Sequence, residues 1–281
     1  MSKFSMLNYN DKVAVAVSGG KDSLSLLYVM KRILDSRHNA ADLIAITIDE
    51  GIKGYRDESL KIVQDFCSNL GVHSKILSYK EIFGIDMDDA IMLRSGQKKS
   101  SCSMCGTFRR RAMDIAAESV GANVIATAHN LDDQVQSFMI NILAGDVDRI
   151  GWTYPEPVLY ANSKLKKIKP FVEIYEQEIV FYALQREIPF QAEECPYMNE
   201  SIRTKLRQFF NKFENEHPGM KYNIYNSISK ISKTLRSSTQ TPVARICNIC
   251  RRECTSETCT TCRTVKSLMT EKQSTLARDI S

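Results

Sequence analysis

Residues 12–23, KVAVAV running into SGGKDS, decide the fold. Lys12 to Val17 is a short apolar run rich in β-branched residues and predicts a buried strand. The helical spacing of apolar residues from Asp22 to Asp35 predicts a helix directly after it. Between them, Gly19 and Gly20 let the backbone turn tightly and bring bare N–H groups close to a ligand. The helix N-terminus adds a positive dipole end and Lys21 a full charge, so Ser18, Gly19, Gly20, Lys21, Asp22 and Ser23 together form an anion cradle. It is not a Walker A loop, because GxxxxGK[ST] is absent.

The alternation continues outward. Strands are expected at Leu43 to Asp49, Ser74 to Leu77 and Asn123 to His129, and helices at Tyr55 to Leu70, Thr107 to Ser119 and Leu131 to Ala144. Strands alternating with helices imply an α/β fold with a doubly wound parallel sheet, whose ligands bind at the carboxyl ends of the strands. Two further helices, Tyr175 to Glu187 and Asn199 to Asn215, flank an IPFQAEECPY loop bounded by Pro189 and Pro196. The polar, turn-rich KTLRSSTQTP, ending at Pro242, marks a boundary. The expected organisation is a catalytic domain over 1–215, a helical connector over 216–243, a zinc ribbon over 244–265 and a mobile tail over 266–281.

With 281 residues, 43% hydrophobic and 25% charged, the chain is an ordinary globular protein, which excludes whole-chain disorder, collagen and a pure coiled coil. The net charge of +5 favours an anionic partner. MSKFSMLNYNDKVAVAV carries no signal-peptide core and no apolar run reaches membrane-spanning length, so a cytoplasmic location is expected. Thiols stay reduced there, and the nine unevenly placed cysteines read as metal-binding or chemical groups rather than a disulfide framework.

Cys247, Cys250, Cys259 and Cys262 have CxxC-x8-CxxC spacing, two knuckles matching a tetrahedral Zn²⁺ site, with Cys254 left spare between them. Cys102 and Cys105 in KKSSCSMCGTFRRR fit a redox dithiol, half of a zinc site or two iron–sulfur ligands, and spacing does not separate these. Cys195, alone in EECPY, reads by itself as a small buried hydrophobe, as does Cys67. Asp49, Asp132 and Asp133, just past predicted strand ends, are placed to hold a cation such as Mg²⁺ beside bound phosphates; helix N-capping is the plain alternative for the last two. Three basic runs, Arg94 to Arg111, Lys164 to Lys169, and Arg245 with Arg251 and Arg252, tilt the reading toward RNA, a solvated face being the alternative for any one of them.

SGGKDS after a buried strand resembles the PP-loop of the ATP pyrophosphatases, the adenine-nucleotide alpha-hydrolase-like fold. Taken in order, SGGKDS, TIDEGIKGYRD, CSMCGTFRRR, HNLDD, KIKPF and ECPY resemble the tRNA 2-thiouridine synthetases, over nearly the whole chain. That resemblance implies ATP-dependent thiolation of a tRNA uridine. The 2-oxygen attacks the α-phosphorus of ATP, pyrophosphate leaves, and sulfide carried on a [4Fe-4S] cluster displaces AMP. It implies Cys102, Cys105 and Cys195 as cluster ligands; Lys21, Asp133 and Arg109 as catalytic groups; and Asp49, Ala128 and Asp133 beside the nucleotide, Ala128 replacing the family's usual glycine. It further implies a C-terminal zinc ribbon, a ubiquitin-like thiocarboxylated sulfur carrier or a sulfide donor as the sulfur source, and a homodimer. EECPY and HPGMKY at His217 to Tyr222 lean toward the branch acting on uridine 54 rather than wobble uridine 34. The family commonly has another zinc finger before the first strand, and about twelve residues precede it here, without cysteine or histidine. Two rivals remain: a PP-loop enzyme adenylating another acceptor without a cluster, and a zinc-ribbon RNA-binding protein with a vestigial ATP site, against which the intact SGGKDS argues.

Overall fold

The computed structural model describes residues 1–36, 42–94, 100–151, 165–198, 202–238 and 245–279. After a 3₁₀ turn at Ser2–Phe4, the chain alternates β1 (Val13–Ala16), α1 (Lys21–Asp35), β2 (Leu43–Asp49), α2 (Arg56–Leu70) and β3 (His73–Ser78). Two short helices, α3 (Tyr79–Phe83) and α4 (Met87–Met92), lead to α5 (Ser101–Ser119), β4 (Val124–Ala126), α6 (Leu131–Leu143) and α7 (Val147–Gly151). Then come β5 (Lys166–Ile168), α8 (Glu176–Gln185), α9 (Ile202–Glu216) and α10 (Met220–Ser238). The hairpin of β6 (Arg245–Ile246) and β7 (Glu253–Cys254) precedes α11 (Thr260–Asp279).

The five-stranded sheet is parallel throughout, in the order β3-β2-β1-β4-β5. Side chains alternate across it, as strand geometry requires. Val13, Val15 and Val17 face a core shared with Leu24, Leu27 and Met30 of α1, Val135 of α6, Ile179 of α8 and Tyr225 of α10. Ala14, Ile46, Ile48 and Ile125 face the other way, onto Tyr79, Met87, Phe108, Ala112 and Ala116. Helices therefore cover both faces, as a doubly wound sheet demands.

Several boundaries differ from expectation. Helix α5 begins six residues earlier than its apolar periodicity indicates, because Ser100 caps it by accepting from Ser103 N. Both cysteines of CSMC therefore lie on its first turns. A fifth strand, β5, is too short and too basic to stand out in sequence; its Lys167 pairs with Asp114 at 2.6 Å. KTLRSSTQTP is helical through Ser238, and the rest of it lies outside the described residues. Helix α10 is also more than a connector, since Tyr225 and Ile228 are buried in the main core. The segment after Cys262, expected as a mobile tail, is α11, whose Leu268 is buried against the α5 side of the sheet. Arg252 of the zinc hairpin pairs with Glu118 of α5 at 2.5 Å, fastening the same module to the core.

One buried ion pair fixes the helices around β4. Lys221 and Asp132 are both nearly inaccessible and paired to each other. Lys221 Nζ also donates to Asn211 Oδ1, while Asp132 Oδ2 accepts from Glu176 N at 2.8 Å, capping α8. Removing one partner leaves the other charge buried and uncompensated. Asp132→Ala is therefore expected to lower unfolding stability by about 3–5 kcal/mol, read as a fall in the denaturant midpoint with unchanged slope. Lys31→Ala, at an exposed i,i+4 pair with Asp35, should cost under about 1 kcal/mol in the same experiment.

Candidate active site and metal centre

Strand order reverses between β1 and β4, and the loops after these two strands flank the crevice that the reversal opens. The SGGKDS loop forms one wall. Gly19 has φ +89°, and a Cβ there would stand 2.7 Å from Ser59 Cβ, so only glycine lets α2 come this close. Gly20 is extended and caps α1 without a side chain, leaving the first-turn N–H groups of the helix for an anion. Ser23 Oγ accepts from Ser18 N at 3.0 Å and donates to Gly20 O at 2.9 Å, stapling the loop on itself.

Lys21 Nζ donates to Glu176 Oε1 at 2.9 Å and Asp22 Oδ2 at 3.1 Å. Burial works against its ammonium, but the two carboxylates outweigh it and hold the pKa above the ordinary value. Burial raises the carboxyl pKa of Asp22, against the pull of Lys21, and Glu176 and Asp133 add to the rise. Asp22 Oδ1 is buried with no hydrogen-bond partner. An orphaned carboxylate oxygen beside a phosphate cradle, with further acids nearby, fits Mg²⁺.

The other predicted carboxylates have local duties. Asp49 Oδ1 accepts from Gly51 N at 2.9 Å and shapes the turn after β2. Asp132 is committed to Lys221 and α8. Asp133 forms a capping box with Asn130 and meets Arg203 of α9 at 3.3 Å, at the crevice edge. Ala128 is half-buried against the core beside them. His129 Nδ1 lies 2.9 Å from Thr127 Oγ1, and crowding by the surrounding protein, then the charge of Lys169, lowers the pKa of this partly exposed imidazole to about 4 against the opposing pull of Asp133. Burial also lowers the pKa of Lys169, whose Nζ donates to Gln134 Oε1 at 3.2 Å.

The thiols lie on the opposite wall. Tyr79 is fully buried; its hydroxyl donates to Cys105 O at 2.9 Å and stands 3.6 Å from Cys105 Sγ. Arg109, one turn along α5, donates to Cys105 Sγ at 3.6 Å and to Glu50 Oε1 at 2.8 Å. The Glu50 carboxylate holds this guanidinium well above its ordinary pKa despite desolvation. Cys102 Sγ faces Tyr197 O at 3.6 Å. The Cys195 thiol is pushed up by burial, pulled back by the Tyr197 N–H, and raised further by Cys105 and Cys102, whose fields reach it. The IPFQAEECPY loop is tied to the phosphate loop, with Gln191 N donating to Gly19 O at 3.0 Å and Gln191 Nε2 to Tyr55 O at 2.8 Å. Among the described residues these three sulfurs are not gathered as tightly as the four of the C-terminal hairpin; Cys105, with a guanidinium and a phenol beside its sulfur, has the surroundings of a thiolate. Cys67, in contrast, is buried among apolar groups that raise its pKa to about 11.

Far from this crevice, the sulfurs of Cys247, Cys250, Cys259 and Cys262 all lie within 4.8 Å of one another, a donor set that fits Zn²⁺. Burial opposes the Cys247 thiolate, yet the N–H groups of Cys259, Cys250 and Ile249 bring its pKa down to about 6. Cys254 stands outside the four, with its Sγ on Ser256 O at 2.8 Å.

Of the basic runs, Lys98, Lys99 and Lys164 lie outside the described residues. Arg94 is engaged with Ser101 Oγ, Lys167 with Asp114 and Arg252 with Glu118. Arg109 meets Glu50 and Lys169 meets Gln134, while Arg110, Arg245 and Arg251 are exposed. Sequence reasoning missed Glu50, Arg56, Tyr79, Glu176 and Arg203. Among the described residues no helix is long and apolar enough to cross a membrane.

Residues 2–214 match the PP-loop domain family. The chain is 41% identical over 214 residues to the cytoplasmic tRNA 2-thiolation protein 1 of Chlamydomonas reinhardtii, covering 76% of this chain and 59% of that protein. It is 38% identical over 208 residues to the protein of the same name in Caenorhabditis elegans, covering 74% and 55%. The chain thus spans a little over half the length of these curated relatives. The solved structure of the U34-tRNA thiolase NcsA from Methanococcus maripaludis, with its [4Fe-4S] cluster, superposes with a TM-score of 0.79 at 31% identity, covering 94% of this chain and 83% of that one. The two stretches that lean toward uridine 54 also make contacts within the fold: Tyr197 of EECPY donates to Asp88 at 2.8 Å, and Lys221 of HPGMKY is the buried partner of Asp132.

Two outcomes follow from this geometry. Cys254→Ser should leave the zinc content of the purified protein unchanged and Cys247→Ser should abolish it, as read by metal analysis. The His129 imidazole resonance should titrate with a midpoint near 4. Because its folded pKa lies below the unfolded value of about 6.5, it contributes stability above that pH that is lost as pH falls toward 4. His129→Asn should flatten that part of the stability profile.

Proposed function

The chain belongs to the PP-loop domain family, and on that premise we propose that it thiolates tRNA: ATP adenylates the 2-oxygen of uridine 34, and sulfur then replaces AMP to give 2-thiouridine. The observation that carries this reading is the tie made by Gln191, which binds the Cys195 loop to the phosphate loop and so brings the thiols to the nucleotide's edge of the sheet. An ATP pyrophosphatase adenylating some other acceptor has no use for three cysteines at that place. The relatives' names support tRNA as the acceptor.

The residues divide the work. Ser18 to Ser23 and the N–H groups of α1 hold the phosphates, Lys21 offsets their charge as pyrophosphate leaves, and Asp22 is placed to share Mg²⁺. Asp49 and Ala128 border the nucleotide, Ala128 narrowing the wall beside it. Asp133, held by Arg203, and Arg109, held by Glu50, face the uridine as its 2-oxygen attacks the α-phosphorus. Cys102, Cys105 and Cys195 would hold the [4Fe-4S] cluster, which would supply sulfur-binding chemistry beside the activated uridine. His129, neutral at physiological pH, adds no charge to the crevice floor. The zinc hairpin, fastened through Arg252 and α11, presents Arg245 and Arg251 to RNA phosphates. The proposal includes a thiocarboxylated ubiquitin-like carrier as sulfur donor, a homodimer as the assembly and the cytoplasm as the location, the last in keeping with the relatives' names.

The test is anaerobic reconstitution with iron and sulfide, followed by incubation with unmodified tRNA, ATP and a sulfur donor. Cys102→Ser, Cys105→Ser and Cys195→Ser should each lose cluster absorbance and product, and Lys21→Ala should lower kcat/KM by roughly 100-fold or more. Full product from all three serine variants would refute the reading in favour of another acceptor chemistry.

A further inference from the structure

Glu50 is a carboxylate with almost no access to water, yet it meets two guanidinium groups. Arg56 Nε lies 2.8 Å from Oε2 and Arg109 Nε 2.8 Å from Oε1. The two arginines are held differently. Arg56 is itself buried and also donates to Ser18 O at 2.9 Å and Ile48 O at 2.7 Å, so it has backbone anchors at the ends of both β1 and β2. The Arg109 side chain is 49% exposed in the crevice and meets, besides Glu50, the sulfur of Cys105. The loop carrying Glu50 is fixed too. Met87 N donates to Glu50 O at 2.8 Å, and Gly51, at φ +70°, turns the chain where a Cβ would stand 2.5 Å from Asp86 Cβ.

We propose that Glu50 is the positioning residue for Arg109, aiming its guanidinium along the Cys105 sulfur and into the crevice where the adenylated uridine meets sulfur. A long cationic side chain with nothing behind it samples many rotamers and drifts toward water. A buried carboxylate at its Nε leaves the NH2 end to point one way. Glu50→Gln also leaves the buried Arg56 without its counter-charge and so lowers stability, but Arg56 keeps its two backbone acceptors and its place, and the loss of aim falls on Arg109. The assignment rests on the proposed thiolation for its kinetic consequence, but the link between the two side chains stands apart from any reaction.

Two readouts separate these layers. Phenylglyoxal, which modifies free guanidinium groups, should label Arg109 several times faster in Glu50→Gln than in the unsubstituted protein, as read by peptide mass spectrometry. Arg56 should stay unlabelled in both. Equal rates at Arg109, or new labelling of Arg56, would overturn the assignment whatever the enzyme does. In the thiolation assay Glu50→Gln should lower kcat roughly 100-fold, with ATP affinity measured by calorimetry held within about twofold. In the Arg109→Gln background it should cost nothing more, since the two act as one unit. Losses that multiply, or ATP affinity falling as far as kcat, would also overturn it. If Glu50→Gln does not fold, Glu50→Asp keeps the buried charge but withdraws it by one methylene, and the same labelling and the same cycle apply. Failure of the unsubstituted protein to thiolate tRNA would count against the proposed function and leave the labelling result intact.

Discussion

The carboxyl edge of the sheet depends on a backbone approach that only glycine permits. At Gly19 the chain leaving β1 passes so near Ser59 that any side chain would collide with it, and the turn lies in the left-handed region as well. That contact seats α2 against the phosphate loop. With α2 seated, Arg56 reaches Ser18 O and Ile48 O and meets Glu50, and Glu50 in turn holds Arg109. On the far side of the loop, Gly19 O accepts the backbone of Gln191 and so draws in the chain that carries Cys195. A methyl group at Gly19 would disturb the phosphate cradle and, through this chain of contacts, both sides of the thiol site.

The crevice built in this way is rich in cations whose charge is held at different strengths. Glu50 secures the charge of Arg109, while desolvation weakens the basicity of Lys169 and leaves His129 neutral. Lys21 is matched by Asp22 and Glu176 at the phosphate loop. A polyanion bound at this edge of the sheet would meet fixed positive groups whose interactions are stronger where water is partly excluded.

The apolar strands and the anion cradle were legible in sequence because burial on both faces of a parallel sheet imposes continuous β-branched runs. The four-cysteine set of the C-terminal hairpin was legible from its CxxC-x8-CxxC spacing. What escaped has physical reasons. SCSMCG has no apolar periodicity, so the first turns of α5 show only through the Ser100 cap. At the turn that ends β2, Asp49 looks like the site residue, but Glu50, the next residue, is the one that turns inward onto two arginines. Lys221 reads as an ordinary basic residue, since only the fold supplies the aspartate that allows its burial. Leu268, among few apolar neighbours, gives α11 too weak a stripe to betray its docking on α5.

In the proposed reaction ATP activates the uridine oxygen before sulfur arrives. The direct measurement is a single-turnover reaction on tRNA carrying ¹⁸O at the 2-position of uridine 34, with mass analysis of the products. The account predicts AMP bearing the label in proportion to 2-thiouridine formed. Label retained in the tRNA or released to water, with unlabelled AMP, would contradict it.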